Sequence, residues 1–450
     1  MSADAISPLR RTAIIDALRR GTVPAKGLEH FAVGLQRFGP AIEAELESAR
    51  TGSGGCKAIR GEYGSGKTFA ARWIVERAKS MGFAAAEVQI SEAETPLHRM
   101  ETVYRRIVEG LQTESVDRGA FRPVVDQWIY MVEEDAVGSG TVDASDPEAL
   151  HERTAALMER RLLTVSRTNP TFATALRAYH RAQLDGRLVD AEGILSWLGG
   201  QPNVAASAKR AAGVKGEIDH GGALAFLQGL LAVLRDSGHA GLLVVLDEVE
   251  TLQRVRSDVR ERALNALRQI IDEIDAGRFP GLYLVITGTP AFFDGPQGVQ
   301  RLPPLAQRLA TDFTTDVRFD NPRAVQIRLP GFDRAGLIEL GRRVRTIYAS
   351  GSTAPERIEQ FVDDEYLATL ADAVTGRLGG KVGIAPRLFL KKLVGDILDR
   401  VDQFADFDPR VHYALTVTSG ELTPVERNAQ AGIDIDDIAL DGTALNGPSD

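Results

Sequence analysis

The chain carries a single cysteine, Cys56, in 450 residues, so an internal disulfide is excluded. Its seven histidines form no H-E-x-x-H pattern, and one cysteine cannot make a paired C-x-x-C. The familiar zinc frameworks are therefore absent. No G-x-S-x-G occurs, which removes the α/β-hydrolase signature. No N-K-x-D occurs either, so nothing points to guanine. There is no run of eighteen apolar residues, and no membrane-spanning helix is expected. The opening MSADAISPLRRTAIIDALRR lacks the apolar core of a signal peptide. A cytoplasmic location follows as an expectation.

Lysine is scarce as well. Of 53 basic residues only nine are lysine. Net charge is −9, and residues 421–450 hold seven acidic residues against one arginine. The body is thus nearly neutral, which speaks against a strongly basic nucleic-acid-binding protein, though not against a local basic patch. The acidic end, short of aromatics, reads as a flexible tail. Length allows roughly two or three domains with ample core.

Against this background one stretch is rich in glycine. Gly61, Glu62, Tyr63, Gly64, Ser65, Gly66, Lys67 and Thr68 spell GEYGSGKT, a complete G-x-x-x-x-G-K-[ST] loop. Its glycines let the backbone curl so that successive N–H groups face phosphate oxygens. Lys67 places a charge on the β- and γ-phosphates, and the Thr68 hydroxyl can ligate Mg²⁺. The apolar run CKAIR (56–60) before it suits a buried strand, and residues 69–80 continue as a helix whose N-terminus adds to the anion site. A glycine turn with a stray lysine is the bland alternative, and the flanking strand and helix argue against it. The expected ligands are a nucleoside triphosphate and Mg²⁺.

GLLVVLDEVE (241–250) is the second motif: a buried strand ending in two carboxylates. Asp247 would hold Mg²⁺, and Glu248 would orient and polarise the attacking water. Glu250 reads either as a secondary participant or, in preference, as a solvated carboxylate at a helix start. A further apolar strand, 282–286, ends in Thr287 and Thr289; of these Thr287 is favoured to sit between metal, γ-phosphate and water. Arg308 in PPLAQRL can project at a neighbouring copy's γ-phosphate, with Arg301 as its rival and a surface ion pair as the plain reading of either. Arg387 in GKVGIAPRLFLKKL can reach the γ-phosphate from a late helix, whereas Lys391 and Lys392 read as solvated.

Apolar strands alternating with helices argue for an α/β fold, a P-loop NTPase with a parallel sheet between helices. The expected order is a helical N-terminal segment over 1–50, an ATPase domain over 51–330 with a helical insertion at about 97–240, and a small all-helical lid over 331–405. A C-terminal extension over 406–450 ends in the acidic tail. Residues 8–50 read as helical around the link GTVPAKG, residues 83–90 as a strand, and 134–147 as a mobile loop. Lid helices are expected near 333–350, 356–376 and 386–402.

The succession GEYGSGKT, helical insertion, LLVVLDEVE, ITGTP, PPLAQRL and GIAPR is similar to AAA+ ATPases related to origin-recognition initiators. More specifically, RRTAIIDALRRGTVPAKGLEHFAVG (10–34), GEYGSGKTF (61–69), GVKGEIDHGGALAFL (213–227) and GLLVVLDEVETLQRVR (241–256) resemble the P-loop ATP-binding proteins of BREX bacteriophage-defence systems, the BrxD-like family. The resemblance runs over roughly residues 10–405. It implies an AAA+-like ATPase acting with a helicase and other defence proteins, with Thr287 as sensor 1, Arg308 as arginine finger and Arg387 as sensor 2. It implies also that Val33 and Gly34 pack on adenine, and that the chain forms a homo-oligomer, at least a dimer. Initiator-type relatives carry a winged helix after the lid. Too little chain follows here for one, which speaks against autonomous DNA binding and leaves DNA to be met in a complex. The rivals are a slow nucleotide-dependent switch or scaffold and an initiator or clamp loader.

Overall fold

The computed structural model describes residues 6–138, 146–163, 170–377 and 385–415. Five parallel strands form its centre: β1 (Gly55–Arg60), β2 (Ala84–Gln89), β3 (Leu242–Asp247), β4 (Leu282–Gly288) and β5 (Gln326–Arg328), in the order β2-β3-β4-β1-β5. β4 thus separates β1, which feeds the GEYGSGKT loop, from β3, which ends at Asp247. The registers Arg60↔Gly288 and Leu246↔Ile286 bring the C-terminal ends of these three strands level. The α/β class expected from sequence is the observed one, with its parallel sheet, helical insertion and C-terminal helices.

LLVVLD and LYLVITG are continuously apolar because both faces of the sheet are covered. Alternate residues enter opposite layers: Leu242, Val244 and Leu246 face one, Leu243 and Val245 the other. The first layer holds the insertion between β2 and β3. Its helices are α4 (Met100–Glu109), α5 (Phe121–Gly138), α6 (Pro147–Arg161), α7 (Pro170–Leu184), α8 (Leu188–Leu198), α9 (Ala206–Ala211) and α10 (His220–Asp236). After β3 the helix α11 (Ser257–Asp275) joins the same layer, and the short α12 (Pro290–Asp294) and α13 (Pro303–Arg308) follow β4. The second layer unites the two ends of the chain. It contains α1 (Pro8–Arg19), α2 (Gly39–Arg50), α3 (Lys67–Ser80) and the C-terminal helices. These are α14 (Arg334–Ala349), α15 (Pro355–Phe361), α16 (Asp364–Arg377) and α17 (Ala385–Lys391), the last continuing through a π-helical turn, Lys392–Leu398, into α18 (Asp399–Gln403). No helix among the described residues is long and apolar enough to cross a membrane.

Several boundaries differ from the sequence expectation. Residues 31–38 are not α-helical. Gly34 takes φ 78°, a conformation that ends a right-handed helix, and only short 3₁₀ turns flank it. The expected helix over 356–376 is two helices. Asp363 turns its carboxylate onto the Tyr366 N–H at 2.8 Å and so starts a new one. Helix α5 runs on to Gly138, through the first residues of the loop expected from 134. Residues 139–145 and the acidic tail lie outside the described residues. Strand β5 gave no sequence signal, being three residues of mixed polarity, QIR. Lys392, expected to be solvated, is buried beside Asp396 and Tyr413.

Candidate functional site

The loop between β1 and α3 is held by its own backbone. Gly61 N–H donates to Gly288 O at 3.2 Å, and Ser65 N–H to Glu62 O at 3.1 Å. A Cβ on Gly61 would collide with the Ser65 hydroxyl, so only glycine fits. Gly64 and Gly66 take φ 77° and 92°, and Gly66 caps the start of α3. Lys67, the first residue of α3, folds back over the loop. Its Nζ donates to Gly61 O at 2.9 Å and Glu62 O at 3.2 Å, and lies 5.1 Å from the Tyr63 ring centroid.

Level strand ends bring the acidic and hydroxyl groups together. Thr68 Oγ1 donates to Asp247 Oδ2 at 2.9 Å. The fully buried Thr287 donates its hydroxyl to Asp247 Oδ1. The Glu248 N–H meets both Asp247 Oδ1 and Thr287 Oγ1 at 3.1 Å. Thr289 does something else: it caps α12 through the Phe292 N–H at 3.3 Å. Glu248 itself has φ 60° and ψ 41°. This left-handed conformation is unusual for a residue bearing a side chain and costs about 1 kcal/mol or more. Backbone contacts on both sides hold it there, and Gln89 Nε2, at the end of β2, donates to Glu248 Oε2 at 2.9 Å.

Glu250 departs furthest from expectation. It is not solvated but 3% exposed, with Oε1 3.6 Å from Lys67 Nζ. The turn after β3 is 3₁₀, with three residues per turn, so Glu250 comes round beneath the strand end that carries Asp247. Burial pushes its carboxyl above the usual range, Lys67 pulls it back, and Asp247 and Glu248 push it up again.

A cavity of about 590 Å³ opens above the loop. Tyr63 to Phe69, Glu248 and Glu250 line its polar end, and Val33, Gly34, Leu340 and Leu390 line an apolar end between the N-terminal segment and the C-terminal helices. Such a shape suits a flat base at one end and a polyanion at the other. Arg387 of α17 also faces this cavity, close to Gly21 in the turn after α1. Arg308 does not. It sits on α13, ion-paired with Asp272 of α11 and partly exposed, while Arg301 bonds Ser257 Oγ at 3.2 Å.

A family model described as BREX system ATP-binding protein BrxC/D matches residues 6–417. The chain belongs to that family. Neither the curated proteins nor the solved structures compared with it give a match. As a BREX ATP-binding protein, it presents one cavity that combines the phosphate loop with a group from each end of the chain.

Gln89 escaped the sequence reading; it could have been noticed as the polar residue ending β2, level with Asp247. Glu250 was considered there as a secondary participant, and the preferred solvated reading failed because the turn is 3₁₀ and not an exposed helix start.

Proposed function

We propose that the chain is an AAA+-type ATPase of a BREX phage-defence system that couples ATP binding and hydrolysis to a helicase or another DNA-processing partner in the cytoplasm. The observation carrying this reading is the hydrogen-bonded chain Thr68–Asp247–Thr287–Glu248–Gln89, whose members Thr68 and Glu248 line the cavity. Gly61 to Thr68 cradle the triphosphate, and Lys67 meets its β- and γ-oxygens. Val33 and Gly34 lie against the base. The oxygens of Thr68 and Asp247, 2.9 Å apart, are hard donors of the kind Mg²⁺ takes, and the ion would shield phosphate charge. Asp247 and Thr68 would hold it, Thr287 orients Asp247, and Glu248 would accept a proton from the attacking water.

In this reading a helical segment runs to residue 50, the ATPase domain to 330, and a lid to 405 brings Arg387 to the nucleotide. Arg308, outside its own cavity, is available to a neighbouring copy in a homo-oligomer, where it would exchange Asp272 for phosphate. A slow-turnover switch is the second reading, favoured by the 2.9 Å bond with which Gln89 Nε2 holds Glu248 Oε2. Steady-state phosphate release, with and without DNA and the partner, tests both. Glu248→Gln is expected to keep nucleotide binding and lose turnover by about 10²-fold or more. Wild-type protein inert under every condition, with Glu248→Gln indistinguishable from it, would sink the ATPase reading in favour of the switch. An Arg308→Ala variant that self-associates and hydrolyses as wild type would remove the proposed role of Arg308.

A further inference from the structure

Two side-chain atoms of cavity-lining residues are buried without a hydrogen-bond partner among the described residues: Ser65 Oγ and Glu250 Oε2. Ser65 is simply explained, since a phosphate oxygen would accept from its hydroxyl. Glu250 is not, because it is an acceptor placed in an anion site. Its carboxylate is 3% exposed, with one oxygen 3.6 Å from an ammonium and the other unpaired. That is a costly arrangement for a fold to keep, and apolar packing would serve stability better.

The surroundings of Lys67 suggest what it is kept for. Two of the ammonium's donors are taken by the Gly61 and Glu62 carbonyls at 2.9 and 3.2 Å, and Glu250 stands on a further side. We propose that Glu250 is a positioning residue, a latch that holds Lys67 by its charge and competes with nucleotide phosphate for it. This rests on the nucleotide reading above.

The competition is unequal between ligands. A triphosphate offers Lys67 oxygens of both its β- and γ-groups, whereas a diphosphate offers fewer. Glu250 therefore costs either ligand at most the Lys67–Glu250 contact itself, and the diphosphate, which gains less from Lys67, loses no more than the triphosphate. It acts on Lys67 and on the electrostatics of the phosphate seat, without touching the reacting atoms.

The test is calorimetric titration of the full chain with ADP and with a non-hydrolysable triphosphate analogue, each with Mg²⁺. Glu250→Gln removes the charge and keeps the shape. It should bind ADP tighter by on the order of tenfold, the scale of a short charge pair in a partly screened site, and gain at least as much for the analogue. Glu250→Asp draws the carboxylate back by one methylene and should give the same sign with a smaller gain. It decides the matter if the glutamine variant fails to fold. A residue that merely propped the loop would do the opposite, and its loss would weaken both ligands. Unchanged or weaker ADP binding in a folded variant overturns the latch. Wild-type protein that is folded yet binds neither nucleotide overturns the nucleotide reading itself, an outcome distinct from the first.

Discussion

On the insertion face of the sheet an aromatic cluster interlocks the helices, among polar bonds such as Trp128 Nε1 to Asp236 Oδ2 at 2.7 Å. Phe226 of α10 meets Tyr104, Phe172 and Trp197 edge to face, with ring centroids 5.9, 5.2 and 5.4 Å away. On the opposite face the N-terminal and C-terminal helices share an apolar layer too, but directional polar bonds clasp it. Arg19 of α1 grips Asp399 of α18 at 2.6 and 2.8 Å, and Tyr348 of α14 donates to the same carboxylate at 2.8 Å. Arg343 reaches the Ala32 carbonyl at 2.6 Å, and Glu76 of α3 accepts the Leu28 N–H at 3.0 Å. Close-packed apolar cores resist small adjustments, whereas polar bonds can be exchanged one at a time. The cavity over the GEYGSGKT loop is lined mostly from the clasped side, with Glu248 and Glu250 reaching it from the turn after β3. The difference assigns response to one face and rigidity to the other.

The comparison breaks first at Phe226. Removing a buried ring that three aromatics surround should cost about 3–5 kcal/mol. Glycine at 229 already accommodates the neighbouring Phe172, where a Cβ would lie 2.5 Å from its ring, so the site has little freedom to refill. Phe226→Ala should therefore lower the urea midpoint markedly. Nucleotide affinity measured well below that midpoint should stay at the wild-type value. A matching loss of affinity would mean that the two faces are not separable.

A smaller effect is expected on the other face at Arg387. Its guanidinium faces the cavity from α17, and a charge-assisted bond to phosphate would be lost on truncation. Arg387→Ala should weaken a triphosphate analogue by about tenfold and ADP by less. The thermal midpoint of the empty protein should move little. Equal weakening of both ligands would place Arg387 on the base or the α- and β-phosphates, and would remove the argument that the clasped helices report the γ-phosphate.

How far the two faces were legible in sequence follows the same division. Strand ends and loop residues declared themselves, because a parallel sheet needs continuous apolar runs and a phosphate loop needs glycine at fixed positions. Asp247, Lys67 and Thr68 meet for that reason. Glu250 was misread because exposure depends on whether the turn after β3 has three residues per turn or more. Gln89 and Arg387 come to the site through packing between segments far apart in the chain, which periodicity does not encode. In the insertion the helices were visible, yet nothing in their apolar spacing foretold that Phe226 would gather three aromatic partners.

The weakest test concerns acid. In the insertion, His151 Nδ1 of α6 faces His180 Nδ1 of α7 at 3.3 Å, and His180 Nε2 lies 2.6 Å from Glu133 Oε1 of α5. Burial lowers the pKa of His151, the positive charges of His180 and Arg181 lower it further, and Glu148 and Asp185 oppose them. Above the ordinary histidine value, about 6.5, His151 is neutral whether folded or unfolded, and pH changes nothing. As pH falls below that value the unfolded chain takes up a proton that the folded chain resists, so stability present at neutral pH is lost towards the lower folded pKa. The loss should be local and modest, since the ring is partly exposed. Hydrogen exchange at about pH 7.5 and about pH 5.5, on either side of the ordinary histidine value and corrected for intrinsic rates, should show α6 and α7 losing protection while α14 and α18 keep theirs. His151→Gln should abolish the difference. Equal loss on both faces would mean that acid acts through the sheet that the two layers share, and the rigidity assigned to the insertion would hold only near neutral pH.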